Sequence, residues 1–393
     1  MTRRPDHDPM PALRRSLRAL GLALALAGCG GGVDSGGTGS STFASGTITG
    51  FGSVIVGGVH FDDGHASITD ADGALRSRDD LRLGMTTEVR GSAVVTDATG
   101  TPVSTASSIA FGSDLLGPLA SIDAALGQLV VLGQTIDINA ATVFDASSVS
   151  GGLTALVLGD VIEVYALFDP ATGRHTATRI ERKTAPGAFV LRGVVSQFDA
   201  TAKAFNIGGQ RVSYAAFGTA LPATLANGSI VRVRVSTTQV AGAWQASALN
   251  GSVQLLLDKD DVRLEGLVSA FVSATQFSVN GVAVDASVLS ATGVTPGALV
   301  EVEGTARAGV LVASRVAVRS ADGQGFELRG LITSADVAGQ SFVLRGVTVA
   351  YSAATTEFRS GTAAGLTTGA GVEARGRLSS DGTRLLATRI TFR

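Results

Sequence analysis

The chain is poor in the residue types on which many protein chemistries depend. Its 393 residues hold one cysteine, one tryptophan, three tyrosines and four histidines. A single cysteine excludes any disulfide within the chain and any zinc site built on cysteines. Nowhere do the roughly 18 consecutive apolar residues needed to span a bilayer as a helix occur. Excess charge of either sign is missing too: 31 Lys and Arg stand against 33 Asp and Glu. Without residues 1–28, which carry five Arg and two Asp, the balance is 26 basic against 31 acidic groups. A net charge near −5 argues against a surface that tracks phosphates, so nucleic acid is not an expected partner. What is abundant is glycine, 51 residues, within a 45% apolar composition. That composition excludes wholesale disorder and suits many short strands joined by tight turns.

The lone cysteine has an informative position. Arg3, Arg4, Arg14, Arg15 and Arg18 form a basic leader, and Ala19–Ala27 an apolar segment of the length of an export signal. Leu26-Ala27-Gly28-Cys29 follows and resembles the lipobox of bacterial lipoproteins. The resemblance implies cleavage before Cys29, a diacylglycerol on its sulfur and an acylated new amino terminus. Several acyl chains anchor stably, because each buried methylene contributes about 0.8 kcal/mol and one chain alone holds only marginally. The Gly- and Ser-rich residues after Cys29 have the composition of a flexible tether. Gly30 after the cysteine, by likeness to enterobacterial sorting, points to the outer membrane.

Beyond the tether one pattern recurs five times. An alternating hairpin signature appears at Val54–Phe61, Leu129–Ile136, Phe205–Val212, Phe277–Val284 and Phe342–Val349. The turns are centred on Gly58, Gly133, Gly209, Gly281 and Gly346, because two-residue hairpin turns need positive φ. Next comes a glycine (Gly84, Gly159, Gly228, Gly297, Gly369) four residues before a charged one (Glu88, Glu163, Arg232, Glu301, Glu373) in a half-buried strand. An Ala-(Ser/Thr)-x-apolar element closes each copy, at Ala106–Ile109, Ala177–Ile180, Ala246–Leu249, Ala313–Val316 and Ala387–Ile390. With an opening strand before each hairpin, at Thr47–Gly50 in the first copy and Gly266–Val268 in the fourth, every unit of about 70 residues has five strands.

This order predicts an all-β chain, a tandem array of five small five-stranded OB-like β-barrels, with small β-sandwiches as the alternative. The expected segments are a signal peptide (1–28), lipidated Cys29 with its tether (29–43), and repeats over 44–114, 115–186, 187–257, 258–324 and 325–393. Repeats of that length suggest beads packed across short joins such as Lys183–Ala188 and Leu257–Asp261. The stretch Gly50-Phe51-Gly52-Ser53-Val54-Ile55-Val56-Gly57-Gly58-Val59 resembles the opening of a bacterial exported domain of unknown function, number 5666, found repeatedly in proteobacterial lipoproteins. The first copy carries that opening best, and the family brings no assigned activity or catalytic residue.

Candidate sites are few. Asp62, Asp63, Asp70 and Asp72 are candidates for a hard cation, but the full calcium-loop pattern is missing, and solvated Asp-Gly turns are the favoured reading, so no metal is expected. His60, His65 and His175 have no nucleophile elbow or zinc-helix motif beside them, so no catalytic residue and no cofactor are expected, and His60 is read as a solvent-face residue. The third copy alone has a basic and aromatic cluster: Arg211, Arg232, Arg234 and Trp244. The expectation is a membrane-anchored, non-enzymatic interaction or scaffold module whose partners are the membrane, through Cys29, and a glycan or another envelope protein. The alternatives are a carbohydrate-active hydrolase, which needs two converging carboxylates, and an oligonucleotide binder working through the third copy.

Overall fold

The computed structural model describes residues 41–216, 225–251, 258–289 and 292–393, so Cys29, most of the tether and Leu257 lie outside the described residues. Among the described residues regular structure consists of strands and four short 3-10 turns, with no α-helix. The five hairpins form in the register that the alternation implies. Val54 pairs with Phe61, Leu129 with Ile136, Phe205 with Val212, Phe277 with Val284 and Phe342 with Val349. At Asn280-Gly281 both turn residues have positive φ, 52° and 80°, the geometry that matches strand twist.

The hairpins belong to small closed barrels. In the second copy Leu115–Asp123 pairs antiparallel with Gln128–Val131, which pairs with Gln134–Asp137. That strand lies parallel beside Arg174–Arg182, which pairs antiparallel with Val161–Asp169, and the latter returns to Leu115–Asp123. Closing the circuit leaves no free sheet edge, which a sandwich would have kept. The other copies use the same ladders. In the first copy the opening strand is interrupted, running Thr42–Thr47 and then Gly50–Phe51. The predicted strand Thr47–Gly50 therefore falls across a break, and in the fourth copy the strand extends far beyond the expected three residues, over Lys259–Ser273.

Two local devices recur. The glycine that leads each long strand has φ between 75° and 90°, where an L side chain is strained. Its N–H donates to the opening strand at 2.8–2.9 Å: Gly84 to Ile48, Gly159 to Leu119, Gly228 to Val195, Gly297 to Val268 and Gly369 to Ile332. Six residues after that glycine every copy has a register shift, at Arg90/Gly91, Tyr165/Ala166, Arg234/Val235, Glu303/Gly304 and Arg375/Gly376. Such bulges bend and twist a strand, as a barrel this small requires.

The copies are not independent beads. Residues 39–393 form one compact unit, and the strands make two sheets, one holding copies one, four and five and the other copies two and three. Thr42–Ser45 runs parallel to Asp261–Leu264 along one edge and antiparallel to Thr86–Gly91 along the other. Further on, Gly50 and Phe51 pair with Glu327 and Leu328. Alternation along the first strand then divides its side chains between two barrels: Ala44 and Ile48 join the core shared by copies one and five, while Phe43 packs in the core of copy four. Copies two and three share a third core.

Candidate functional site

The aspartates singled out above serve the fold. Asp70 accepts the Asp72 and Ala74 backbone N–H groups at 3.0 and 2.9 Å and pairs with Arg76. Burial pushes its carboxyl up, but these hydrogen bonds outweigh burial and hold it below the usual range. Asp62 caps the Gly64 N–H. Asp63 is no solvated turn residue: it is 3% exposed and pairs with Arg78 at 2.6 Å. Among the described residues no three His, Asp or Glu converge as metal ligands.

The basic cluster of the third copy is largely engaged. Arg232 donates to Asp72 at 2.9 Å and to the Ser113 carbonyl at 2.7 Å, and Arg234 donates to the other Asp72 oxygen at 2.8 Å. Two candidate groups read separately in the sequence thus meet as one ion-pair set joining copies one and three. Trp244 donates to Gln210 at 2.8 Å and meets Phe189 edge-on at 5.8 Å, while Arg211 stays exposed. His60 is half-buried rather than on the solvent face, and burial lowers its pKa. His175 is fully buried against Phe168, which lowers its pKa to about 4, so it is neutral and no acid–base group at neutral pH.

A cavity lies where copies one to four meet. It measures about 560 Å³, within the range of small-molecule sites. Phe43, Phe111 and Phe168 supply apolar wall, and Asp70, Asp72, Glu88, Asp114, Glu265, Arg192 and Arg232 bring charge to it. Three of the carboxylates there have arginine partners: Asp70 has Arg76, Asp72 has Arg232 and Arg234, and Asp114 has Arg192. The other two, Glu88 and Glu265, have no ion-pair partner among the described residues. Burial raises the pKa of Glu88, against the weaker pull of Arg90 and Arg192. Burial raises Glu265 to about 7, opposed by hydrogen bonds from Thr47. Glu265 also lines a second cavity of about 190 Å³, with Thr178, whose buried hydroxyl has no hydrogen-bond partner. Glycine 46 makes room for it: a Cβ there would meet the Glu265 Cβ at 2.9 Å.

The repeat explains why Glu88 lacks the cation that its counterparts hold. In copies two, four and five the equivalent Glu163, Glu301 and Glu373 each pair with the residue just after the last strand, Lys183, Arg319 and Arg393. Thr87 pairs with Phe111 as Val300 pairs with Val318, so the matching position in copy one is Gly112. Aligning the copies would have revealed that missing cation; no sequence pattern places Glu265 beside it.

Fold and site together define a protein of fused small β-barrels enclosing a mixed acidic and aromatic cavity at their junction. Residues 117–181, 265–317 and 329–391 match the family described as Domain of unknown function (DUF5666). These are the second, fourth and fifth copies; the first, whose opening carries the resemblance noted above, lies outside the matched segments. No curated protein matches the chain.

Proposed function

We propose that the protein is a lipid-anchored protein of the bacterial envelope, held through Cys29, whose β body is a non-enzymatic interaction or scaffold module. The observation that carries this reading is Leu26-Ala27-Gly28-Cys29 directly after a short apolar segment with a basic leader. The start of the folded body at Thr42 supports it, because about a dozen Gly- and Ser-rich residues then lie between acylated sulfur and first strand. Strand pairing and ion pairs between copies support a scaffold, since they engage much of the charge that separate binding modules would present. Gly30 after the cysteine favours the outer membrane.

Radiolabelled palmitate and membrane fractionation test the anchor. The native chain should take up label and sediment with membranes, and Cys29→Ala should do neither. Equal labelling of the two would refute the reading.

A further inference from the structure

Copies two, four and five supply an internal control for copy one. Where each of them places a Lys or Arg against the strand glutamate, copy one has Gly112, and a Cβ there would meet the Ala71 Cβ at 2.4 Å. No Lys or Arg among the described residues lies within ion-pair distance of Glu88. Glu265 is in the same position: it is 8% exposed, its carboxyl accepts from the Thr47 N–H at 3.4 Å, and the glutamate opposite it, Glu301, already holds Arg319. Two carboxyl groups, half-buried Glu88 and buried Glu265, neither with an ion-pair partner among the described residues, therefore face one cavity in which every other carboxylate has its arginine. Burying a carboxylate unpaired is costly, and a cation entering the cavity would relieve both groups.

The walls choose among cations. A hard metal ion wants six or more oxygens, and among the described residues no three ligating side chains converge. Phe43, Phe111 and Phe168 instead suit a hydrocarbon stem; the rings of Phe43 and Phe168 already carry the Arg90 and Arg192 guanidinium groups at 5.4 and 5.6 Å, which leaves the ligand's ammonium groups to the carboxylates. We propose that the cavity binds a linear aliphatic diamine, with one ammonium group on Glu88, the other on Glu265, and the stem between the phenylalanine walls. Thr178, in the smaller cavity that Glu265 also lines, offers a hydroxyl oxygen without a partner. The site does not depend on the lipid anchor.

Affinity should follow the ionisation of Glu265. The charged groups around it are Glu301 and Arg319 of its own copy and, around the cavity, Glu88 and the paired Asp72, Asp114, Arg192 and Arg232. With a pKa of about 7 the fraction ionised falls roughly tenfold between pH 8 and pH 6, and diamine affinity should fall by about that factor or more.

Isothermal titration calorimetry on the full chain in detergent, with 1,4-diaminobutane and 1,5-diaminopentane as probes and butylamine as control, decides the matter. We expect binding of a diamine at pH 8, at least tenfold weaker binding of butylamine, and the stated loss at pH 6. Glu88→Gln with Glu265→Gln should abolish binding at pH 8, while the remote, exposed Glu357→Gln should leave it unchanged. Glutamine keeps an acceptor for Thr47; should the double variant still fail to fold, the monoamine and pH comparisons on the native chain decide alone. No heat with either diamine at millimolar concentration, equal affinity for the monoamine, or affinity independent of pH would overturn the proposal.

Discussion

Replacing Phe43 with alanine tests whether the copies share their cores. Phe43 is 3% exposed, lies in the first strand, and packs with Val262, Leu264 and Val302 of the fourth copy, while the Arg90 guanidinium sits 5.4 Å above its ring. Truncating a buried phenylalanine costs about 3–5 kcal/mol in lost transfer energy and cavity. The fall in melting temperature depends on how much of the chain unfolds together. If the compact unit of residues 39–393 unfolds as one body, its 355 residues carry an unfolding entropy of about 0.75 kcal/mol/K near 60 °C, and a loss of 4 kcal/mol lowers the midpoint by about 5 °C. If only the first and fourth copies unfold together, about 140 residues carry about 0.3 kcal/mol/K, and the same loss lowers their transition by about 13 °C. Calorimetry reads the midpoint, and hydrogen exchange over Lys259–Ser273 reports whether the fourth copy feels a change made in the first. A shift below 1 °C with unchanged exchange in that strand would refute the shared core.

Two further expectations follow from single groups. Gly159→Ala isolates backbone strain, because φ is 89° and a Cβ there would meet nothing within 4 Å; we expect a loss of about 1–2 kcal/mol by denaturant unfolding, and no loss would mean that the strand start tolerates an L residue. Glu265 has a folded pKa raised from 4.5 to about 7, so the folded state holds its proton more tightly than the unfolded chain does. Its stabilising share is complete below about pH 4.5 and is lost as pH rises through 7, an upper bound of about 3 kcal/mol. Measured across pH 5 to 8 without diamine, Glu265→Gln should therefore gain stability relative to the native protein as pH rises, and parallel curves for the two would contradict the raised pKa.

Much of each copy was legible because its signals are local. Phe277–Val284 reads as a hairpin because alternation sets the faces and Asn280-Gly281 supplies the positive φ, both within eight residues. The glycines at 84, 159, 228, 297 and 369 read as strand starts for the same reason. The bulges after Arg90 and its equivalents were not legible, since they answer to barrel curvature rather than to any residue type. Nor was the fate of Asp72 or Arg232: each suited a site of its own, and only the packing of copy three on copy one turned them into partners.

By itself, then, the sequence determined the all-β class, the five-fold recurrence, the hairpin register and a lone cysteine set behind an apolar segment. These rest on periodicity, turn chemistry and composition, which act over a few residues. The tertiary structure alone decided which barrels fuse and where the cavity opens. Thr42 meets Asp261 and Gly46 makes room for Glu265 across more than 200 residues of chain. Contacts at that separation leave no local trace, because one alternating strand can pair with any edge of matching face. That Glu88 and Glu265 have no ion-pair partner among the described residues is likewise a property of the assembled body, set by which side chains the fold brings near.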